Sequence, residues 1–302
     1  RASPPAESQQ ASQSFPKGKD QPAEKPPQGV EMPPPQSFPK GKDQPTEVRV
    51  GRLRDALALV EPAVPRKTTL PVTQNIRLGE AKVVATDLEV AITAALPEAQ
   101  GAVLLPHREA LEFLKYTPGQ ETARITAEEG RVVITVGDTE TRFNVPAAED
   151  YPPVPAPESE HEGVLDGDAL LRALTAVEPY AAAEDTRPIL TGVCLTPGDQ
   201  VEAAAGDGFR LAWETIPGRL PGDGNLIIPA RAVAVLRHLW KRAAAPDLSN
   251  ASDPARIALA KRLIRLQWGK DRLEMRFGSV SLMVKLIQGT FPNYRQLIPT
   301  ET

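Results

Sequence analysis

Three carboxylates, Asp87, Glu89 and Asp207, are the residues of this 302-residue chain best suited by type to catalysis. Paired carboxylates can hold magnesium and activate water for hydrolysis. Their setting argues for a structural role instead. Ala85-Thr86-Asp87-Leu88 and Ala205-Gly206-Asp207-Gly208 take equivalent places in two related stretches of chain. Each aspartate is therefore expected to serve the same turn in its own stretch. The histidines His107, His161 and His238 show no metal-ligand spacing such as H-E-x-x-H. Gly18-Lys19 and Gly41-Lys42 lack the spacing of a phosphate-binding loop, and there is no Gly-x-Ser-x-Gly elbow. The single cysteine, Cys194, can form neither an internal disulfide nor a thiolate zinc site, and it points to a reducing, cytoplasmic setting. Asn250-Ala251-Ser252 matches a glycosylation acceptor, but no apolar signal segment accompanies it. These residues argue for a protein that is not an enzyme and uses no cofactor and no metal.

The elements that carry these residues fall into a tail and a repeat. Residues 1–47 are rich in Pro, Gln, Ser, Lys and Glu and are expected to be disordered, because they hold too little apolar surface to offset the entropy of ordering. The tail contains one duplicated decapeptide, Gln13–Pro22 and Gln36–Pro45, whose Phe15 and Phe38 could centre docking motifs, although a slipped duplication explains it more simply. Beyond it the chain is 41% apolar but only 5% aromatic overall, so Leu, Val, Ile and Ala must build the cores. No apolar run approaches the roughly 20 residues of a membrane span. The net charge of −4 announces no nucleic-acid partner, but binding follows local rather than total charge.

From residue 48 the chain runs through one pattern twice. Val60-Glu61-Pro62 returns as Val177-Glu178-Pro179, Leu104-Leu105-Pro106 as Ile227-Ile228-Pro229, and Tyr151-Pro152 as Phe291-Pro292. The period is domain-sized, which predicts two domains, 48–158 and 159–302, with an insertion near 243–260 in the second. Each copy opens with a helix, marked by Leu53, Leu57 and Val60 and by Leu170, Leu174 and Val177. A second helix follows the proline, over 107–115 and 231–242. Short alternating strands include 82–85, 131–136, 141–145, 201–205, 263–268, 272–277 and 280–286. Two helices against many short strands make an α+β class, with duplicated domains each packing two helices on antiparallel sheets.

Several of these stretches carry a family resemblance. Gly206-Asp207-Gly208-Phe209-Arg210-Leu211 resembles the Thr-Asp-Gly-His-Arg-Leu strand and turn of the bacterial DNA sliding clamps, the DNA polymerase III beta subunits. Phe291-Pro292-Asn293-Tyr294-Arg295 resembles their Phe-Pro-Asp-Tyr-Arg segment, Thr86-Asp87-Leu88-Glu89 the matching first-domain strand, and Leu70-Pro71 through Asn75 their Leu-Pro-Ile-Leu-x-Asn stretch. The resemblance covers about residues 48–302. It implies the DNA-clamp fold and a processivity factor that encircles duplex DNA and tethers the replicative polymerase and other replication and repair proteins. It also implies a homo-oligomeric ring. The polymerase III catalytic subunit and the clamp loader would dock through short linear motifs. The family's third domain is absent here, so the expectation is a truncated chain or a two-domain subunit, three of which would supply six domains. The alternative is a clamp-derived peptide-binding protein that does not encircle DNA.

The resemblance also assigns two sites. Helices line the hole in the family, so the DNA-facing residues would be Arg66, Lys67, Arg108 and Lys115 in the first copy and Arg231, His238 and Arg242 in the second. The last three recur on one helical face, opposite Val233, Leu236, Leu239 and Trp240. The partner-peptide cleft would comprise Leu190, Gly208, Phe209, Arg210, Leu211, Pro292, Gln296 and Leu297. Three departures bear on it. Gly206 stands where the family usually has Thr, Phe209 where it often has His, and Gln296 where it often has Arg. An aromatic at 209 is expected to narrow the cleft.

Overall fold

Alternation dictates most of the secondary structure. In Arg131–Val136 (β7), Val132, Ile134 and Val136 join the main core, while Val133 between them is buried outside it and Thr135 is half-buried. The period of two places side chains on opposite faces of a sheet. The computed structural model describes residues 45–158, 160–184, 186–222, 224–243 and 263–298. The first copy runs Thr46–Arg49 (β1), Val50–Val60 (α1), Asn75–Gly79 (β2), Lys82–Thr86 (β3), Val90–Ala95 (β4), Ala102–Pro106 (β5), His107–Lys115 (α2), Thr122–Glu128 (β6), β7 and Thr139–Asn144 (β8). The second repeats that order with His161–Asp166 (β9), Gly167–Val177 (α3), Gly192–Thr196 (β10), Val201–Gly206 (β11), Leu211–Ile216 (β12), Leu226–Pro229 (β13), Ala230–Arg242 (α4), Leu263–Trp268 (β14), Arg272–Phe277 (β15) and Val280–Lys285 (β16).

Each copy builds two four-stranded antiparallel layers, ordered β1-β6-β7-β8 with β5-β2-β3-β4, and β9-β14-β15-β16 with β13-β10-β11-β12. One strand from each copy joins them. β4 pairs with β16, with Leu282 opposite Ile92 and Val284 opposite Val90, which fuses two layers into one eight-stranded sheet. The corresponding outer strands, β8 and β12, end their sheets unpaired among the described residues. One apolar core runs through both copies, and α1 packs on α2, α3 on α4, and α1 on α4. Leu53, Leu57 and Val60 of α1 and Leu170, Leu174 and Val177 of α3 are all fully buried, as their spacing predicts. Asp166 caps α3 by accepting the Ala169 N–H at 2.8 Å.

Several boundaries differ from expectation, four of the expected strands by one or two residues at their ends. The tail does not extend to residue 47, because Thr46 and Glu47 already pair with Ile125 and Arg124 in β1. Thr46 and Val48, on the same strand, are buried, and one apolar side chain in so short a strand gives little sequence signal. The second helix of the second copy starts at Ala230, directly after Pro229. The duplicated decapeptide apart from Pro45, and nearly all of the 243–260 insertion, lie outside the described residues.

Candidate nucleic-acid groove and peptide cleft

Helix ends and the short turns after them build a groove of about 1260 Å³. Arg66, Arg108, Lys115, Arg231 and His238 line it, so five of the seven residues expected to face DNA meet at one place. Lys67 and Arg242 are exposed but lie outside that lining. Arg54 and His107 line the groove too and were not anticipated. Arg54 reaches it from α1 and donates to the Lys115 carbonyl at 3.4 Å, a link between helices that spacing along one helix does not reveal. The acids Glu61, Glu109 and Glu112 share the lining and moderate its positive field.

Two of the expected DNA contacts are already engaged within the protein. At the end of α1 the Leu57 carbonyl accepts the Glu61 N–H, while Pro62 has no N–H to offer the Ala58 carbonyl. His107 meets the Leu57 carbonyl at 3.0 Å, and His238, from the other copy, meets the Ala58 carbonyl at 3.1 Å. A carbonyl only accepts, so in both imidazoles Nε2 carries the proton. Arg231 donates to the Pro62 carbonyl at 3.2 Å and forms an ion pair with Asp87. His107 fastens α2, and His238 and Arg231 fasten α4, to the C-terminal end of α1 and the turn after it.

The aspartates serve turns. Asp87 Oδ1 accepts the N–H groups of Glu89 and Val90 at 3.1 and 2.8 Å. Asp207 Oδ1 accepts those of Phe209 and Arg210 at 2.9 and 2.8 Å. The Arg210 and Phe209 N–H groups, with the Arg210 guanidinium, hold the Asp207 carboxyl at about 2, well below the usual carboxylate range. Among the described residues no cluster of His, Cys, Asp or Glu is arranged to hold a metal. Burial pushes the Cys194 thiol up to about 11.

The proposed peptide cleft lies around a second, smaller core on the other face of the β13-β10-β11-β12 layer. Leu190, Cys194, Ala204, Ile227, Phe291 and Tyr294 form it, with Leu211 and Ile298 packed alongside. Leu190 is buried, and Leu211 half-buried. Arg210 is paired with Asp207 and lies 5.7 Å from the Tyr180 ring centroid. Gly208 has φ +93°, so its backbone alone calls for glycine. Phe209 is 99% exposed, so it projects into solvent and does not narrow the cleft by packing into it. Pro292 and Gln296 are exposed, and Leu297 is 72% exposed. Tyr180 and Ile298 belong to this surface and were not expected there. The glycine at 206 has a local reason: a Cβ there would come 2.9 Å from the Arg210 carbonyl oxygen.

Comparison with known proteins agrees with this architecture. The family model "DNA polymerase III beta subunit, N-terminal domain" matches residues 47–155, and that for its central domain matches residues 164–293. The beta sliding clamp of Synechococcus elongatus is 28% identical over 266 residues, covering 84% of this chain and 67% of that relative. The beta sliding clamp of Escherichia coli K12 is 26% identical over 243 residues, covering 77% of this chain and 62% of its own length. The DNA polymerase III beta subunit of Pseudomonas aeruginosa superposes with a TM-score of 0.73 at 23% identity, over 85% of this chain and 69% of that one. That of Streptococcus pyogenes gives 0.74 at 17% identity, over 85% and 68%. At such identities the structures speak for the fold, and the two family models for the rest. The chain belongs to the DNA polymerase III beta subunit family, the bacterial sliding clamps.

Proposed function

We propose that this chain is a segment of a ring that surrounds duplex DNA and holds a replicative polymerase on it. The carrying observation is the fusion of two copies edge to edge through β4 and β16, which leaves β8 and β12 open to repeat the same joint. A head-to-tail contact of this kind closes into a ring when its rotation fits. The helices provide a groove whose cations alternate with acids, which suits weak phosphate contact. Phosphate contacts carry no base information, so such a lining permits sliding along any sequence. The open cations Arg66, Lys67, Arg108, Lys115 and Arg242 would face DNA, with Arg231 and His238 in the groove wall but held by partners within the protein. Retention would be topological, needing no catalytic group and no cofactor. The setting would be the cytoplasm, where no membrane is involved; among the described residues no helix is long and apolar enough to cross one.

The apolar surface around Leu190, Leu211, Leu297 and Phe209, with Gly208, Arg210, Pro292 and Gln296 at its edges, would take short linear motifs of the polymerase III catalytic subunit and the clamp loader. Apolar walls with few polar groups suit that kind of ligand.

Light scattering across a range of concentrations, followed by loading onto nicked circular DNA with a clamp loader, tests the ring. A discrete oligomer retained on circular DNA and released when the circle is cut is the expected outcome. An oligomer, or a monomer, that leaves intact and cut circles equally fast would overturn the encircling reading.

A further inference from the structure

The Asp87–Arg231 pair crosses from one copy to the other, and its counterpart does not. Asp207, in the equivalent turn, pairs with Arg210 of its own turn. Both aspartates spend Oδ1 on two backbone N–H groups, and the use of the second oxygen is what differs. Asp87 gives Oδ2 to Arg231, which itself lines the groove. The Asp87 side chain is only 7% exposed while that of Arg231 is 50% exposed. The carboxylate is thus fixed in the protein, and the guanidinium stands at the groove wall with solvent on its other side.

Resting on the DNA reading above, we propose that Asp87 is an electrostatic attenuator of the groove. It neutralises Arg231, a cation that would otherwise be free to meet a backbone phosphate, and so keeps the groove's hold on DNA weak. The logic is that of a slider. Each additional neutralised phosphate releases counterions and deepens salt-dependent binding, with a slope of about 0.9 per phosphate in a plot of log K against log salt. A tether that must move gains from withholding one such contact. The Pro62 carbonyl adds to the restraint by taking another guanidinium N–H.

Asp87→Asn is the informative change. Its Oδ1 can still accept the Glu89 and Val90 N–H groups, so the turn is kept while the charge is lost. Asp87→Ser, whose hydroxyl can accept in the same turn geometry, guards against a specific effect of the amide. Binding of the full chain to a fluorescent blunt duplex is followed by anisotropy as sodium chloride is raised. Both variants should steepen the salt slope by about one, and adding Arg231→Gln to Asp87→Asn should restore the wild-type slope. An unchanged slope in both single variants, or a steeper slope that survives Arg231→Gln, overturns the attenuator while leaving the DNA reading in place. A wild-type chain with no salt-dependent binding even at low salt overturns both.

Discussion

The two copies solve the same turn with different side chains. In the first, Thr86 Oγ1 accepts the Leu88 N–H at 3.0 Å and donates to the Val90 carbonyl at 3.0 Å, and Leu88 is forced to φ +78°. In the second, Gly206 offers no side chain, and Gly208 adopts φ +93° as only glycine does readily. The first copy holds its turn by a side-chain clasp that tolerates a strained leucine, and the second by removing the strain. The outer cores differ in the same way. Tyr151 sends its hydroxyl inward, where it accepts the Thr86 N–H at 3.1 Å. At the matching place the second copy has Phe291, and its hydroxyl comes from Tyr294, which donates to Glu202 at 2.7 Å nearer the surface. The first copy's turn therefore serves the joint through Asp87. The second copy's turn stands beside the surface proposed to receive partners.

The largest contrast to test is between the closed joint and the open edge. Gly137 and Gly278 open the hairpins before β8 and β16 with φ of +56° and +53°, which makes Thr141 the counterpart of Leu282. Leu282 is fully buried opposite Ile92, while Thr141 is half-buried on a strand that pairs with β7 but whose outer edge is unpaired among the described residues. Leu282→Ala should lower unfolding free energy by about 3 kcal/mol, from lost transfer and a residual cavity. Thr141→Ala should stay within about 0.5 kcal/mol. Urea titrations of both variants check this. Equal losses would mean that β8 is packed in solution as β16 is here, which would itself be evidence that the edge is occupied.

This contrast also shows what the sequence could reveal. The repeat, both helices of each copy and the paired strands β14 and β15 were legible, because leucines at helical spacing and alternating apolar residues report directly on burial. The turn role of Asp87 and Asp207 followed from their equivalence. The joint was not legible. Nothing in Val90–Ala95 or Val280–Lys285 names the other as its partner, since strand pairing is a property of edges in space. For the same reason Arg231 and His238 read as one charged helical face, while their partners, Asp87, Pro62 and Ala58, sit far away in sequence. Peptide-cleft residues were legible only through the family resemblance; Tyr180 comes to lie near Arg210 through folding, which adjacency in sequence does not show.

A smaller effect separates the two tyrosine hydroxyls. Tyr151→Phe strands the buried Thr86 N–H without its acceptor, at a cost of about 1–3 kcal/mol. Tyr294→Phe removes a donor from Glu202, which still receives the Arg295 guanidinium at 2.8 Å, so the loss should be about 1 kcal/mol or less. Thermal or urea unfolding of the two variants ranks them. If Tyr294→Phe costs more, the outer core of the second copy depends on its polar rim more than its packing suggests.

The smallest expected effects concern the strained position itself. Gly208→Ala places a Cβ at φ +93°, about 3.4 Å from the Arg187 guanidinium, and should cost about 1 kcal/mol. Leu88→Gly relieves a positive φ but adds entropy to the unfolded chain, so the gain should stay below about 1 kcal/mol. The sign is still informative, because Leu88 is half exposed and loses little packing when removed. A clear destabilisation by Leu88→Gly would show that the leucine is held for what it covers beside the Asp87–Arg231 pair, and that the first copy's turn keeps its strain to seal the joint.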